Sequence, residues 1–259
     1  MIGGISMKEE LIDKLLNNFI NENKEYSNID IPNNIEEKRQ LLRGLINLRE
    51  PIDIDEKILK LEDELLQIEL NEKGIIDVLE LPEIEKNISL YLGDITTLKT
   101  DAIVNAGNSY GLGCFNPTHK CIDNAIHTYS GIRLRLECNN KLKGKSLNNG
   151  DILVCSGYNL PSKYVITTVG PEIRGQINKQ DEIDLSNCYK NALKYAIDNN
   201  FKSIVFPSIS TGLFGYPISK AKLIAYNSVK ELLKDTDIKV IFNVYSKEDY
   251  NEYQKLWNN

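Results

Sequence analysis

A short segment in the middle of the chain concentrates residues that bind metal ions. Residues 113–127 contain both histidines of the chain, two of its five cysteines and one aspartate. Cys114, His119 and Cys121 are spaced closely enough to bind one ion, and their thiolate and imidazole donors favour zinc over magnesium. Catalytic zinc sites typically have three protein ligands and an open position, whereas structural sites are usually closed by four. The segment therefore predicts a metal site that acts on a ligand.

The same residues are compatible with roles other than catalytic metal binding. Free thiols or a regulatory disulfide at Cys114 and Cys121 are alternatives to zinc, although the intervening His119 favours zinc, and a zinc ion bound there is also compatible with a purely structural role. His127 lies four residues after Asp123, on the same face of a predicted helix, where packing or hydrogen bonding is more common than metal ligation. The three remaining cysteines are expected to be small buried side chains.

Composition and charge limit the ligands that the chain can bind. The 259 residues carry a formal net charge of −6, so no overall basic field attracts nucleic acid or anionic lipid. A phosphate-bearing ligand must instead be bound by local backbone amides and helix ends. The odd number of cysteines, with no recognisable signal peptide or membrane-length apolar run, favours a cytoplasmic protein with free thiols.

The first part of the chain is predicted to be helical. Leucine and isoleucine recur at helical spacing from Met7 to about Leu81, and Pro32 and Pro51 divide the pattern into three or more amphipathic helices. Their apolar stripes are expected to pack on the remainder of the chain rather than to bind a partner. The preceding Met1–Ser6 is consistent with an expression scar. We predict a helical N-terminal extension over residues 1–81 and a second domain over residues 82–259.

After Pro82, short apolar strands alternate with helical segments. The predicted strands are Ile88–Leu92, Ala102–Val104, Ile152–Val154, Tyr164–Val169, Ser203–Phe206 and Lys239–Val244, and the predicted helices lie near Ile122–Leu136, Leu185–Asn199 and Ser219–Lys234. This alternation predicts an α/β sandwich with a largely parallel or mixed sheet. Ligands of such folds bind beyond the carboxyl ends of the strands, where loops enter helices.

Three loops that come after predicted strands carry polar or glycine-rich segments. Asp94 comes after the first strand, where a carboxylate either accepts a hydrogen bond from an exocyclic amine or simply caps the turn. Asn105 and Asn108 come after the second strand, and their amides can orient ribose hydroxyls. The loop 207–216 has glycines and serines that allow backbone amides to approach a diphosphate, without the Gly-Lys-Ser/Thr of a Walker A loop.

Taken together and in this order, these segments resemble the macrodomain family. The resemblance spans roughly Leu90 to Trp257 and is carried by the segments GDIT, DAIVNAGN, GYNLPSKYVITTVGP and FPSISTGLFGYP. The segment GCFNPTHKCIDNAIH replaces a glycine-rich stretch of most macrodomains and is similar to the zinc-dependent subgroup of microbial ADP-ribosyl hydrolases, which also has a helical N-terminal extension. The resemblance implies a three-layer α/β/α macrodomain with a mixed central sheet, preceded by that extension.

The resemblance also implies roles for individual residues. Asp94, with the amide of Ile95, would bind adenine, and Tyr245 would stack on it. Asn108 would orient the distal ribose, and Asn105 would shape the same loop. The residues implied for the diphosphate and ribose are Ser210, Thr211, Gly212, Leu213 and Phe214. Two departures from the family pattern are Gly107, where Ala is commoner, and Cys155, where Thr is frequent, and we expect neither to disturb the site.

The chemistry implied by the resemblance is hydrolysis at the anomeric carbon of the distal ribose, through an oxocarbenium-like transition state. Zinc held by Cys114, His119 and Cys121 would position ribose and water, and Asp123 would act as general base or electrostatic partner, with Asn108 beside it. The sequence therefore predicts a zinc-dependent hydrolase that removes mono-ADP-ribose from modified protein side chains.

Two other functions stay open. One is a non-catalytic ADP-ribose reader with a structural zinc, and the other is an interaction protein whose helical extension docks a partner. Nucleic-acid binding is disfavoured because no basic stripe or aromatic platform is evident. The resemblance further implies an association with sirtuin-type ADP-ribosyl transferases and lipoyl-carrier proteins as modified substrates.

Overall fold

The computed structural model describes residues 6–258 of the chain. The helices are α1 (Met7–Glu22), α2 (Ile35–Leu48), α3 (Glu56–Lys73), α4 (Ile122–Ser130), α5 (Ile132–Leu142), α6 (Lys179–Asp198), α7 (Ile218–Leu232) and α8 (Lys247–Gln254). The strands are β1 (Ile76–Asp77), β2 (Ile88–Leu92), β3 (Leu98–Lys99), β4 (Ala102–Ala106), β5 (Ile152–Ser156), β6 (Tyr164–Thr168), β7 (Ser203–Phe206) and β8 (Lys239–Val244). Of the predicted expression scar, residues 1–5 lie outside the described part, and Ser6 caps α1 by accepting a hydrogen bond from the amide of Glu9.

Six strands form one mixed sheet in the order β2-β8-β7-β4-β6-β5, and β1 and β3 pair separately. Neighbouring strands of the large sheet are parallel, except that β5 runs antiparallel to β6. The residues of β7 and β8 are all buried, as expected for strands covered on both faces. The six predicted strands are all present, and the prediction of a mixed α/β sheet is confirmed.

Successive residues of each central strand point into two different cores. Val104 and Phe206 face the layer of α6, α7 and α8, whereas Ile103 and Val205 face the layer of α4 and α5. This arises from the alternation of side chains along a strand. The sheet therefore lies between two helical layers, which confirms the predicted three-layer arrangement.

The first three helices form a third apolar cluster. Ile12, Leu15, Leu42 and Leu65 are buried there, together with Ile132 from α5. The leucine and isoleucine stripes are thus packed against one another and against the layer that carries α4 and α5, as their spacing predicted. The boundary between residues 81 and 82 stays a prediction.

The predicted helix Ile122–Leu136 is divided in two at Gly131. Gly131 has φ 92°, and a Cβ atom there would lie 3.0 Å from the Glu62 Oε2 atom and 3.2 Å from the Leu66 Cδ1 atom. Both neighbours belong to α3, so α3 packs directly on the break. Glu62 Oε2 accepts a hydrogen bond from the Ile132 amide at 2.9 Å, and it thereby caps α5 from the N-terminal extension.

Helix α6 begins earlier than the predicted Leu185, because Asn178 and Asp181 form a capping box at its start. No helix between residues 6 and 258 combines the length and apolarity that crossing a lipid bilayer requires.

The buried Glu62 carboxyl makes stability depend on pH. Burial raises its pKa from 4.5 to about 7 in the folded chain, against the opposing hydrogen bond from Ile132. Since the folded state then binds the proton more tightly, the free energy of unfolding should fall as pH rises from 4.5 to about 7. Glu62→Gln should remove this loss, which is at most about 3 kcal/mol. Urea unfolding at pH 5 and pH 8 measures it.

Glu64→Gln is the matched control, because Glu64 lies on the same helix and is exposed. Native protein and the control should lose stability between the two pH values, while Glu62→Gln should lose less. Parallel pH dependence in all three proteins would contradict the assignment to Glu62.

Candidate functional site

A cleft of about 370 Å³ opens where β4, β7 and β8 end. Because these strands are parallel, their carboxyl ends lie at one edge of the sheet and bring three loops together. Of the predicted site residues, those that line the cleft are Asn108, Cys114, His119, Cys121, Asp123, residues 210–214 and Tyr245. Asn105 is fully buried behind the cleft surface. Segments far apart in sequence thus share one concave site.

Three donor atoms in the cleft wall lie close enough together to bind one metal ion. One ligand atom each of Cys114, His119 and Cys121 lie within 4.8 Å of one another. The Cys114 Sγ and His119 Nδ1 atoms are 3.5 Å apart. A tetrahedral zinc with bonds of about 2.3 Å to sulfur and 2.0 Å to nitrogen separates such a pair by roughly 3.5 Å. The donor set and its spacing therefore fit zinc. Both cysteines are free thiols rather than a disulfide.

The third of these donors also begins a helix. Cys121 is the N-cap of α4, and its Sγ atom accepts a hydrogen bond from the Asn124 amide at 3.4 Å. Burial raises the pKa of the Cys121 thiol, while the Asn124 amide acts in the opposite direction. The N-terminus of a helix carries partial positive charge, which favours the thiolate form. The fold thus fixes the direction of the Cys121 sulfur. It also supplies one hydrogen-bond donor, the Asn124 amide, that stabilises the thiolate form.

Asp123 lies in the first turn of the same helix and is 4% exposed. Its Oδ1 atom accepts a hydrogen bond from Asn105 Nδ2 at 2.7 Å, and its Oδ2 atom accepts one from Asn108 Nδ2 at 3.4 Å. Burial raises the pKa of Asp123 to about 6, although the Asn105 contact and the charge of Arg135 oppose the shift. The two asparagines therefore fix the direction of a carboxylate that borders the cleft.

His127 packs behind Asp123. The His127 Nε2 and Asp123 Oδ1 atoms are 3.7 Å apart, beyond hydrogen-bond distance, and neither ring nitrogen of His127 has a hydrogen-bond partner among the described residues. Burial lowers the pKa of His127 to about 3, so the imidazole is neutral at physiological pH. Gly113, with φ 86°, lies against the ring, and a Cβ atom there would be 2.7 Å from the His127 Cγ atom. His127 is not part of the three-residue donor group.

The loop after β7 has the form of an anion cradle. Ser210 has φ 65°, and the amides of Gly215 and Tyr216 donate to the carbonyls of Gly212 and Ser210. Within residues 6–258, the structure gives no acceptor for the amides of residues 211–214. The Ser208 and Ser210 hydroxyls are buried without a partner as well. Free amides and hydroxyls in one loop are the donors that a diphosphate requires.

Of the three predicted adenine-binding residues, one lines the cleft and two do not. Tyr245 lines the cleft and is 84% exposed, directly after β8. Asp94 and Ile95 do not line the cleft, although Asn243 Nδ2 donates to the Gly93 carbonyl at 3.0 Å and joins their loop to the end of β8. The adenine roles of Asp94 and Ile95 stay predictions.

The Asp94 carboxylate has partners that the sequence did not indicate. It accepts hydrogen bonds from the Thr96 amide at 2.9 Å and from Lys73 Nζ at 2.9 Å. Burial alone would raise the pKa of Asp94, but the hydrogen bonds from Thr96 and Lys73 hold it below its ordinary value. Lys73 belongs to α3, and no local sequence pattern predicts a contact between the N-terminal extension and this loop.

Two charged residues of the cleft were not predicted from the sequence. The charges near the C-terminus are typical of a solvated helix face, yet Asp249 lines the cleft near the start of α8. Lys120, between two of the predicted metal ligands, lines the cleft as well. Its position beside His119 and Cys121 was the available signal, since a loop that carries ligands also exposes the residues between them.

Comparisons with known proteins agree with this architecture. A model of the Macro domain family matches residues 104–225. A protein-ADP-ribose hydrolase of Staphylococcus aureus is 38% identical over 253 residues, covering 95% of this chain and 95% of that protein. A protein-ADP-ribose hydrolase of Treponema medium is 40% identical over 250 residues, covering 93% and 96%. A solved Oceanobacillus iheyensis macrodomain with ADP has a TM-score of 0.60 and 38% identity, covering 67% of this chain and 92% of that one.

Gly107 generates a prediction about packing beside Asp123. A Cβ atom at this position would lie 2.8 Å from the Thr167 Cγ2 atom and 3.7 Å from the Asp123 Oδ1 atom. Gly107→Ala should therefore lower the free energy of unfolding by about 1–3 kcal/mol, the usual cost of overpacking. Thr167→Ser removes the obstructing methyl group but retains the hydroxyl that accepts from Asn105. The double variant should recover much of the loss.

Urea unfolding of native protein, both single variants and the double variant measures this coupling. Additive losses would show that the Thr167 methyl group is not what excludes a side chain at position 107.

Proposed function

We propose that this chain, which belongs to the macrodomain family, is a hydrolase that releases mono-ADP-ribose from modified protein side chains. The observation that carries the proposal is the meeting of two groups in one cleft. Asp123 is held by Asn105 and Asn108, and the close group of Cys114, His119 and Cys121 side chains lines the same cleft. A module that only binds ADP-ribose has no need of a buried carboxylate beside a metal-ligand group.

The proposed ligand is supported by the chemistry of the cleft. The free amides of residues 211–214 and the unpartnered hydroxyls of Ser208 and Ser210 can donate to a diphosphate. The exposed ring of Tyr245 offers a stacking surface for adenine. Because the chain is acidic overall, these local donors, with Lys120 at the cleft, must supply the attraction for phosphate. The names of the Staphylococcus aureus and Treponema medium relatives support the same substrate class.

In the proposed reaction, the bond between the anomeric carbon of the distal ribose and the protein side chain breaks, and a water oxygen bonds to that carbon. Asp123 accepts a proton from the water or stabilises the positive charge that develops on the ribose. Asn105 and Asn108 fix the direction of the Asp123 carboxylate at the edge of the cleft. The bonding electron pair leaves with the side-chain atom, which takes up a proton, so the products are free ADP-ribose and the unmodified side chain.

We propose that Cys114, His119 and Cys121 hold zinc, because their donor types and spacing fit this ion. Zinc bound there would supply Lewis-acid polarisation and order the ribose hydroxyls. Cys121, as the cap of α4, connects this group rigidly to Asp123 in the same helical turn.

The resemblance of the sequence to the zinc-dependent subgroup extends the proposal to a partner and a compartment. We propose a cytoplasmic enzyme that acts on a lipoyl-carrier protein modified by a sirtuin-type transferase. Chemically, this requires a carrier that presents its modified side chain at the surface, where it can enter the cleft.

Metal removal tests the proposed function. Release of ADP-ribose from mono-ADP-ribosylated acceptor proteins is measured for native, chelator-stripped and zinc-restored protein. Turnover should disappear with the metal and return with zinc. Cys121→Ser should stay inactive after the same addition of zinc, because a hydroxyl replaces a thiolate donor.

Full turnover by protein verified to contain no metal would refute the zinc-dependent reaction. No release from any acceptor, with ADP-ribose still tightly bound, would instead identify a reader module.

Asp123→Asn separates catalysis from binding. The amide retains the shape of the carboxylate but cannot accept a proton or carry the negative charge, so turnover should fall by about 10²–10⁴-fold. Calorimetric titration with ADP-ribose should show an affinity close to that of the native protein. Native turnover in this variant would refute the role assigned to Asp123.

A further inference from the structure

The loop that carries the three predicted metal ligands is held by a side chain from the N-terminal extension. Arg43, on α2, donates from Nη2 to the carbonyl oxygen of His119 at 3.2 Å. The same guanidinium donates from Nη2 at 2.7 Å and from Nε at 3.1 Å to Asn124 Oδ1. One planar group therefore contacts the backbone of a ligand residue and a side chain in the first turn of α4.

Asn124 links the Arg43 side chain to other residues of the same loop. Its side chain is fully buried, and Nδ2 donates to the Asn116 carbonyl at 2.8 Å and to the Cys114 carbonyl at 3.5 Å. Because the Asn124 oxygen faces Arg43, its amide is oriented and polarised so that the nitrogen faces the loop. The backbone at both Cys114 and His119 is thus tied to α2, directly or through one amide.

One further contact joins the same loop to α2, and a second joins it to α5. A Cβ atom at Gly44 of α2 would lie 3.4 Å from the Pro117 side chain, so this close approach leaves little room. Arg135, on α5, has its guanidinium over the Phe115 ring at 4.3 Å and donates to the Leu112 carbonyl at 2.8 Å.

Arg135 also binds the end of α2. Its Nη1 atom donates to the carbonyls of Ile46, Asn47 and Arg49, which lie at the C-terminus of α2 where helix carbonyls lack intrahelical partners. The end of α2 and the start of the loop are therefore held by one side chain.

We propose that Arg43 is a positioning residue for the metal group, and that α2 fixes the loop in the conformation in which Cys114, His119 and Cys121 converge. The inference rests on the proposed function in one respect, that these residues hold zinc. A loop of this kind, free in solution, loses conformational entropy when it binds an ion, and contacts that order it beforehand remove part of that cost. Arg43 lies outside residues 104–225, so the family match carries no expectation for it.

A general role of Arg43 in stability is the competing hypothesis, and the chain offers a matched control. Arg133, on α5, donates to Glu56 at 2.8 Å and to Asp63 at 3.3 Å, and so joins α5 to α3. It also links the N-terminal extension to the layer of α4 and α5, but it does not contact the loop. Arg133→Met should lower stability without changing the metal site.

The test uses the full chain. Zinc affinity is measured by competition with a chromophoric chelator, the visible spectrum is recorded after cobalt substitution, and urea unfolding is measured without metal. Arg43→Met retains the aliphatic stem but removes every donor, and it should weaken zinc binding by roughly 10–100-fold, as for other partners of metal ligands. Its cobalt spectrum should differ from that of the native protein. Arg43→Lys should bind zinc with intermediate affinity, because an ammonium cannot reproduce the planar fork.

The outcomes separate this inference from the proposed function. Native zinc affinity and cobalt spectrum in Arg43→Met, or in Arg43→Lys should the methionine variant not fold, would overturn the positioning role alone. Equal weakening of zinc binding in Arg133→Met would also overturn it, since a general loss of stability would then account for both variants. A native chain without zinc affinity would overturn the metal assignment and, with it, this inference.

Discussion

The first turn of α4 is the constraint on which the cleft depends. Successive residues of an α-helix point about 100° apart, so residues within one turn can contact three different parts of the structure. The Cys121 thiol caps the helix, Asp123 borders the cleft against Asn105, and Asn124 faces the loop and Arg43. Any displacement of this turn would move a predicted metal ligand and the predicted catalytic carboxylate together.

This turn is held by a buried polar network whose members are largely satisfied. Asn47 donates to Thr128 at 3.1 Å and to the Arg43 carbonyl at 2.9 Å, and Asn124 has both ends of its amide engaged. Burial lowers the pKa of Arg135, yet its donors face several carbonyls. Networks of this kind specify one arrangement, because each unsatisfied member would cost desolvation free energy. By contrast, the buried oxygens of Ser208 and Ser210 at the cleft, and of Asn105 behind it, have no hydrogen-bond partner among the described residues.

The sequence predicted what depends on local periodicity and chain order. Strands such as Lys239–Val244 were recovered because burial on both faces favours a mostly apolar run, here Val240–Phe242. The cleft loops could be located because parallel strands end at one edge of the sheet. The break at Gly131 was missed although the glycine itself is a helix-ending signal. The Glu62 carboxylate that caps α5 after the break comes from α3, so no local pattern showed it. Arg43 and Lys73 were missed for the same reason, because each acts on residues far along the chain and no spacing rule connects them.

The fold brings two thiol groups and one imidazole together, and our central hypothesis is that they form a metal site with an open position. X-ray absorption at the zinc edge of the full chain, loaded with one equivalent of zinc, tests it most directly. We predict a first coordination shell of two sulfur atoms from Cys114 and Cys121, one nitrogen from His119, and one light atom from solvent. A shell without sulfur, or zinc that does not stay bound through dialysis, would contradict it.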